Sequence, residues 1–199
     1  MKIYEAQVRT TQILAVFKTS GNPYPFCIRN RCGKLEIGEV IVLQIETYSG
    51  KYDGEIISLI LDIQNKEAKI DLSIEEQPDL LDINHYYQQD GGEFWIALSE
   101  KKVIGTIGLM LKEQKCAVMK KFFVKKEFRS QKTGLALYNE LLDFAEKVGV
   151  QHIILDTPSV AHASHKFYEK AGFHKINTSE LPIAYSYPDR DSILYMLDL

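Results

Sequence analysis

Apolar and polar positions between Val118 and Val148 predict a strand, a loop and a helix in succession. An apolar run broken by lysines, Val118 to Val124, indicates the strand, and a polar loop follows from Lys125 to Gly134. The period then changes, because the next apolar residues recur at the spacing of one helix face. Those residues are Leu137, Leu141, Phe144, Ala145 and Val148, and Gly149 stands where a helix commonly ends.

The loop between this strand and helix has the chemistry of an anion site. The first N–H groups of a helix lack intrahelical acceptors and lie at the positive end of its dipole, so phosphate binds there readily. The surrounding basic residues are Lys120, Lys121, Lys125, Lys126, Arg129 and Lys132, against the single acid Glu127. A solvated basic loop explains the same residues equally well. The chain contains neither a G-x-x-x-x-G-K-[ST] nor a G-x-G-x-x-G string, which excludes a nucleotide P-loop and a dinucleotide fingerprint.

The segment VKKEFRSQKTGLALYNELL resembles motif A of the GNAT superfamily of N-acetyltransferases, in which a strand leads through an R-G-x-G-x-G-like loop into a helix. Arg129 matches the arginine and Gly134 the last glycine, while Ser130 and Lys132 stand where glycines are usual. A second register, Gln131-x-x-Gly134-x-Ala136, fits a looser form of the motif. The resemblance implies acetyl-CoA as co-substrate, with its pyrophosphate on backbone N–H groups of the loop and its thioester carbonyl on an N–H of the strand. The implied cofactor-binding residues are Phe123, Val124, Arg129, Ser130, Gln131, Lys132, Thr133 and Gly134.

A second segment, from Ile153 to Phe173, strengthens the resemblance. An apolar strand ends at Asp156-Thr157, and a helix follows in which Ala163, Phe167 and Ala171 share one face. FYEKAGF resembles motif B of the same superfamily, with Tyr168 on the tyrosine. The resemblance implies that Tyr168 is the general acid that protonates the leaving thiolate. The structural alternative is a half-buried helix tyrosine with its hydroxyl in water.

The general base is not identified by the sequence. An alkyl amine with a pKa near roughly 10 is mostly protonated at neutral pH, so direct attack on a thioester benefits from a base. The candidates are His162, His165, Glu113 and Asp156, each of which is also explained as a structural or solvated residue. The five histidines are scattered without ligand spacing, so no metal site is predicted.

Composition narrows the class of protein. The chain has 199 residues, 45% hydrophobic and 26% charged, which is typical of a globular protein with one large domain, or one domain and a small addition. The net charge of −3 argues against general nucleic-acid binding. Three cysteines without a C-x-x-C motif, no apolar leader and no long apolar run predict a cytoplasmic protein without a membrane span.

Residues 1–66 are not explained by the acetyltransferase motifs. The patterns predict strands at Tyr4–Arg9, Phe26–Arg29 and Val40–Glu46, and a short helix at Thr10–Phe17. Glu55–Ile63 fits both a strand and a helix, and its β-branched residues favour the strand. The segment weakly resembles small ASCH/PUA-like β-barrels, which implies contact with RNA or nucleotides through Arg29, Asn30 and Arg31. The alternative is a β-rich extension that packs on the enzyme or mediates a homodimer.

Residues 67–199 are predicted to form the GNAT domain. The expected order is a strand at Lys69–Ser73, a helix at Pro78–Gln88, strands at Phe94–Leu98 and Val103–Leu111, the two motifs, and a last strand at Ile193–Leu197. The fold class is α/β (α+β), the GNAT acyl-CoA N-acyltransferase fold, with a mixed central sheet flanked by helices. The strand from Ile153 is expected parallel to the motif A strand, because a helix crosses between them.

The function predicted from these resemblances is acetyl transfer from acetyl-CoA to a primary amine on a small molecule or peptide. One alternative is a non-catalytic acetyl-CoA sensor, and another is an acetyltransferase directed to RNA by residues 1–66. Tyr185, Tyr187, Asp189 and Asp191 suggest a slightly acidic rim suited to a cationic amine, although the same residues describe an ordinary loop.

Overall fold

In this computed structural model the described residues are 3–8, 11–16, 27–29, 35–37, 41–187 and 191–199, with side chains from residue 43 onward. The strands are β1 (Ile3–Val8), β2 (Thr11–Val16), β3 (Cys27–Arg29), β4 (Leu35–Ile37), β5 (Ile41–Thr47), β6 (Glu93–Ser99), β7 (Lys102–Leu111), β8 (Cys116–Val124), β9 (His152–Pro158), β10 (His174–Ile176) and β11 (Ser192–Asp198). The α-helices are α1 (Asp53–Leu61), α2 (Pro78–Leu81), α3 (Thr133–Lys147) and α4 (His162–Lys170). None of the helices in the described ranges is long and apolar enough to cross a bilayer.

The main sheet is mixed, with the strand order β1-β2-β5-β6-β7-β8-β9-β11-β10. Its strand pairs are antiparallel apart from β8 and β9, which run parallel because α3 crosses between them. Strands β3 and β4 form a separate hairpin. The sheet therefore consists of antiparallel parts that meet at one parallel pair.

Helices cover both faces of this sheet and enclose two hydrophobic cores. One core, on the α3–α4 face, contains Leu137 and Leu141 of α3 and Met119 of β8. The other, on the α1–α2 face, contains Ile56 of α1 and Val118 of β8. Neighbouring residues of β8 thus enter opposite cores, as the alternation of side chains along a strand requires.

Most of the predicted order is confirmed. The meander β6-β7-β8, the parallel β9, the helices of both motifs and the last strand lie where they were expected. Strands were also correct at β1, β3 and β5. The predicted helix at Pro78–Gln88 consists of two pieces, α2 and a π-helical turn at Asn84–Gln88. They are separated at Asp82, whose φ of −146° and ψ of 71° are not helical.

Two predictions about local conformation in the first third of the chain were wrong. Thr10–Phe17 was expected to be helical, but β2 pairs there with β1 on one side and β5 on the other. Glu55–Ile63 was expected to be a strand, but α1 and a π-helical turn at Asp62–Glu67 occupy it. The buried positions Ile56, Leu59 and Ile60 follow a helical spacing, and acidic residues in the first turn favour a helix start.

The predicted strand at Lys69–Ser73 is also wrong, because the segment has no regular structure. Lys69 and Asp71 both have φ of 57°, in the left-handed region. Alternating left-handed residues bend the chain at every second position, which an extended strand cannot accommodate.

Strands from residues 1–66 continue the main sheet, since β5 pairs with β6. Arg29 lies in β3, while Asn30 and Arg31 lie outside the described residues. The ASCH/PUA-like barrel, its nucleic-acid contact and the division at residue 66 stay predictions.

Candidate active site

The site is organised by an opening between the parallel strands β8 and β9. They pair only from Cys116–Val118 to His152–Ile154, although β8 continues to Val124 and β9 to Pro158. Past Ile154, where its pairing with β8 ends, β9 stays paired with β11 along its other edge. In this stretch, all of which is described, the β8 backbone groups that face β9 have no ladder partner there and can bind a ligand inserted between the strands.

A bulge in β8 shapes the opening. Lys120 pairs with Gly108 and Phe123 with Thr106, so Lys121 and Phe122 together face the single residue Ile107. Lys121 has φ of 53°, and the Thr106 hydroxyl donates a hydrogen bond of 2.7 Å to its carbonyl oxygen. A bulge of this kind bends the strand and changes the direction of its side chains.

The predicted anion-binding loop lies at the end of β8. A 3-10 turn over Lys126–Gln131 leads to Lys132, which has φ of 62° and ψ of 12°, and α3 begins at Thr133. The left-handed conformation costs a non-glycine residue about 1–2 kcal/mol. Lysine therefore adopts at this position the conformation that the usual glycine of the motif would favour, and the loop reaches the helix start in a tight turn.

Two side chains of the loop, those of Arg129 and Gln131, are hydrogen-bonded within the protein. The Arg129 Nε donates to the Val124 carbonyl oxygen at 2.8 Å, and its Nη2 lies 2.7 Å from the Glu67 carboxylate. Gln131 Nε2 donates to the Glu127 carbonyl at 3.0 Å, whereas its buried Oε1 has no partner among the described residues. The Arg129 guanidinium is thus used within the protein, which leaves the backbone N–H groups of the turn as the donors that the helix start offers to an anion.

Gly134 stands in the first turn of α3, next to Phe122 and Val124 of β8. A methyl group at its Cα would lie 3.4 Å from the Phe122 ring and 3.8 Å from Val124, which are ordinary contacts. The protein itself therefore does not require glycine here. A glycine at such a turn also permits the close approach of a ligand backbone or phosphate.

Tyr168 of α4 is buried in the core on the α3–α4 face of the sheet. Its ring packs on Phe173 and Tyr195 with centroid distances of 5.7 and 5.9 Å, and Phe122 follows at 6.4 Å. Burial raises the pKa of its hydroxyl well above the usual range, and the negative charge of Asp156 adds to the shift. With 7% of its surface exposed, Tyr168 is not the solvated helix tyrosine of the structural alternative. Its hydroxyl stays protonated at any physiological pH.

The four candidate bases lie in different environments. Asp156 is half-buried in β9, where the strands have separated, and accepts a hydrogen bond from the Tyr185 hydroxyl. His165 Nε2 is within 3.0 Å of the Pro158 carbonyl oxygen, and His162 is exposed at the start of α4. Glu113 lies in the β7–β8 turn, at the other end of β8 from the opening. Asp156 is the carboxylate whose charge reaches Tyr168.

A polar network on the α1–α2 face was missed by the sequence reasoning. Lys121 Nζ lies 3.2 Å from Asp79 Oδ1 and 2.7 Å from Gln77 Oε1. The Tyr87 hydroxyl donates to Asp79 Oδ2 at 2.7 Å, and Gln77 exchanges two hydrogen bonds of 3.0 Å with Gln64. The sequence signal for it was a lysine within an apolar strand, because the partners of Lys121 lie more than forty positions earlier in the chain.

The ionisation of this network follows from its burial. Loss of hydration lowers the pKa of Lys121, while the neighbouring Asp79 carboxylate opposes the shift. Burial together with Asp79 raises the pKa of Tyr87 well above its usual range. Lys121 and Asp79 thus form an ion pair whose two side chains are largely removed from water.

The residues predicted to form an acceptor rim make the following contacts, while their role stays a prediction. Tyr185 stacks on Tyr187 with centroids 5.4 Å apart, and the Lys120 ammonium lies 5.9 Å from the Tyr185 ring centroid. Asp191 accepts a hydrogen bond from the Ser159 hydroxyl, and Asp189 is outside the described residues. The described side chains contain no group of three His, Cys, Asp or Glu residues arranged to hold a metal ion.

Comparison with known proteins agrees with this architecture. A family model described as the acetyltransferase (GNAT) family matches residues 47–173. A crystal structure of an acetyltransferase from Streptococcus agalactiae has a TM-score of 0.77 and 39% identity, and covers 79% of this chain and 98% of that one. A GNAT-family acetyltransferase from Staphylococcus aureus gives 0.76 and 32%, covering 78% and 98%. The fold is therefore the GNAT fold, with a mixed sheet flanked by helices.

Similarity to curated sequences is more limited in extent. N-acetylaspartate synthetase of Xenopus tropicalis is 34% identical over 104 residues, which is 51% of this chain and 38% of that protein. The chain thus spans less than half the length of this relative. The alignment does not extend to the rest of that protein.

Proposed function

This chain belongs to the acetyltransferase (GNAT) family, and on that premise we propose that it transfers the acetyl group of acetyl-CoA to a primary amine by direct attack. The observation that carries the proposal is the opening between β8 and β9. It combines unpaired backbone groups of β8, a loop and helix start suited to pyrophosphate, and a buried tyrosine on the adjacent helix.

Acetyl-CoA enters this opening as a substrate. Backbone N–H groups from Arg129 to Gly134 bind its pyrophosphate at the positive end of α3. The left-handed Lys132, which turns the chain tightly into the start of α3, supports this assignment. The thioester carbonyl accepts from an N–H of β8 at Phe123 or Val124, where charge develops as the amine attacks.

The chemical steps require a base and an acid on opposite sides of the thioester. Asp156 takes a proton from the ammonium form of the acceptor, directly or through water, and so provides the neutral amine. The amine nitrogen then bonds to the carbonyl carbon, and the carbon–sulfur bond breaks. Tyr168 gives its proton to the leaving thiolate, and the proton released by the amine restores the neutral tyrosine through solvent.

Asp156 is favoured over the other base candidates because of its position. It lies in the separated part of β9. Its negative charge acts to raise the pKa of Tyr168 on the α3–α4 face, and the pKa values of Lys121 and Tyr185 on the α1–α2 face. The acceptor then approaches from the α1–α2 face, on the side of Tyr185. A cytoplasmic location and a homodimer remain expectations from the sequence.

The test begins with acetyl-CoA binding by isothermal titration calorimetry, with Gly134→Trp as the variant that blocks the loop. Release of free CoA thiol is then followed with a mixed panel of primary amines. Micromolar binding that Gly134→Trp abolishes, together with amine-dependent thiol release, is the expected result. Binding of acetyl-CoA without thiol release for any amine would instead establish the non-catalytic sensor. Absence of acetyl-CoA binding would contradict both the transferase and the sensor.

A further inference from the structure

Two adjacent lysines of β8 extend onto the α1–α2 face, where the acceptor is proposed to enter. Lys120 pairs with Gly108, and a methyl group on Gly108 would lie 2.5 Å from the Tyr87 ring. Tyr87 therefore covers the sheet at Gly108, and Lys120, as its cross-strand partner, shares that face. Lys121 reaches the same side because its ammonium contacts Asp79 of α2.

The carboxylate of Asp79 is fully engaged by residues already described. Its Oδ1 lies against Lys121 Nζ, and its Oδ2 accepts from the Tyr87 hydroxyl. Asp156, the other carboxylate of the site, accepts from Tyr185. Neither carboxylate forms an ion pair with Lys120.

The Lys120 ammonium is consequently a cation without an anionic partner in the described part of the chain. Its described contact is the Tyr185 ring, 5.9 Å from Nζ, and its side chain is half-buried. The Lys120 charge also acts on Lys121 and disfavours the protonated form of that neighbour. Lys121 already has Asp79 as its counter-charge, so a carboxylate bound at Lys120 would supply the missing anion and offset the repulsion between the two lysines.

From these contacts, and resting on the proposed acetyl transfer, we propose that the acceptor is an amino acid with a free carboxylate. The carboxylate binds Lys120, with Lys121 as its neighbour, while the amine lies towards Asp156 and Tyr185. The site then presents positive charge to the acid group and negative charge to the ammonium group of one zwitterion. A simple cationic amine, as the acidic rim suggested, satisfies Asp156 but leaves Lys120 unpaired.

The experiment compares free amino acids with their carboxamides, which keep the amine and side chain and lose the negative charge. The measured quantity is kcat/KM for CoA release over a panel of such pairs, at saturating acetyl-CoA. In the wild-type protein the acid is expected to exceed its amide by about tenfold or more, the value of a charge-assisted hydrogen bond. Lys120→Gln lowers kcat/KM for the acid alone and brings the pair within about threefold, because the amide never used the ammonium.

Two further variants separate recognition from loss of structure. Lys120→Arg keeps the charge and retains the preference for the acid. Lys147→Gln, at the far end of α3, removes an exposed lysine and leaves the ratio at its wild-type value. A change in KM for acetyl-CoA in Lys120→Gln would mark general damage and overturn the assignment.

The outcomes distinguish the two proposals. Equal use of acids and amides, or acetylation of carboxylate-free amines only, overturns the amino-acid assignment and leaves the acetyltransferase intact. If none of the amines is acetylated although acetyl-CoA binds, the transferase proposal fails, and the acceptor proposal fails with it.

Discussion

Lys121 Nζ lies 3.2 Å from Asp79 Oδ1, in an ion pair whose side chains are only 9% and 10% exposed. The contact joins the bulge of β8, which shapes the substrate opening, to α2, which covers the acceptor face. Gln77 and Tyr87 complete the hydrogen bonding of the pair. The arrangement links the shape of the opening to the helix layer that lies over it.

Replacing Lys121 by Met is expected to destabilise the protein strongly. Removal of one partner leaves Asp79 buried without a counter-charge, which costs about 3–5 kcal/mol in the free energy of unfolding. The matched control is Lys66→Met, which breaks an ion pair with Asp62 whose side chains are 76% and 53% exposed. That exposed pair contributes about 0–1 kcal/mol. Urea unfolding of both variants measures the difference, and equal losses would show that burial of the pair has no energetic consequence.

Replacing Tyr168 by Phe is expected to lower kcat by about 100-fold or more, because a positioned general acid contributes that much. The KM for acetyl-CoA should change little, since the hydroxyl acts on the leaving group. Tyr138→Phe is the matched control, because the buried Tyr138 hydroxyl has no hydrogen-bond partner among the described residues. Similar kcat values for the two variants would remove Tyr168 from the chemistry.

The same tyrosine predicts the alkaline behaviour of the wild-type enzyme. Burial raises the pKa of Tyr168 above its usual value, so the protonated acid persists as the pH rises. The kcat at saturating substrates should therefore show no loss assigned to Tyr168 up to about pH 10, where a free tyrosine ionises. A fall in kcat near pH 8 that disappears in Tyr168→Phe would contradict the burial argument.

Replacing Gly134 by Ala tests the proposed pyrophosphate loop without disturbing the protein. The added methyl group meets Phe122 at 3.4 Å, an ordinary contact, and alanine is the better helix former by about 1 kcal/mol. The free energy of unfolding should be maintained or rise, while acetyl-CoA affinity falls. Gly54→Ala, in the first turn of α1 with nothing within 4 Å, is the control and leaves affinity unchanged. Unchanged calorimetric affinity in Gly134→Ala would move the pyrophosphate away from this turn.

Replacing Gly108 by Ala is expected to disturb the acceptor face through Tyr87. The new methyl group would lie 2.5 Å from the Tyr87 ring and 2.8 Å from Phe94, so a rigid aromatic ring must move. Overpacking of this kind costs about 1–3 kcal/mol in the free energy of unfolding. The hydrogen bond from Tyr87 to Asp79 is lost or lengthened, which a crystal structure of the variant would show. A variant as stable as the wild type, with Tyr87 unmoved, would contradict the packing.

The sequence was most informative where local pattern and local chemistry coincide. The change of period at the end of β8 predicted the strand, loop and helix, and Gly149 predicted the end of α3. Glu55–Ile63 shows the limit of the method, because a short apolar run fits both a strand and a helix. This segment is a helix in the structure because one helical face of it packs on the sheet. In Thr11–Val16, pairing with strands on both sides decided against the helix.

By itself, the sequence determined the family resemblance, the order of the central elements and the loop that precedes α3, since these depend on contiguous residues. Only the tertiary structure decided how far β8 and β9 separate, that Tyr168 is buried near Asp156, and that Lys121 pairs with Asp79. Those relationships join residues that are distant along the chain. They arise from a bulge, a crossover and the packing of two layers, none of which is encoded in any single stretch of residues.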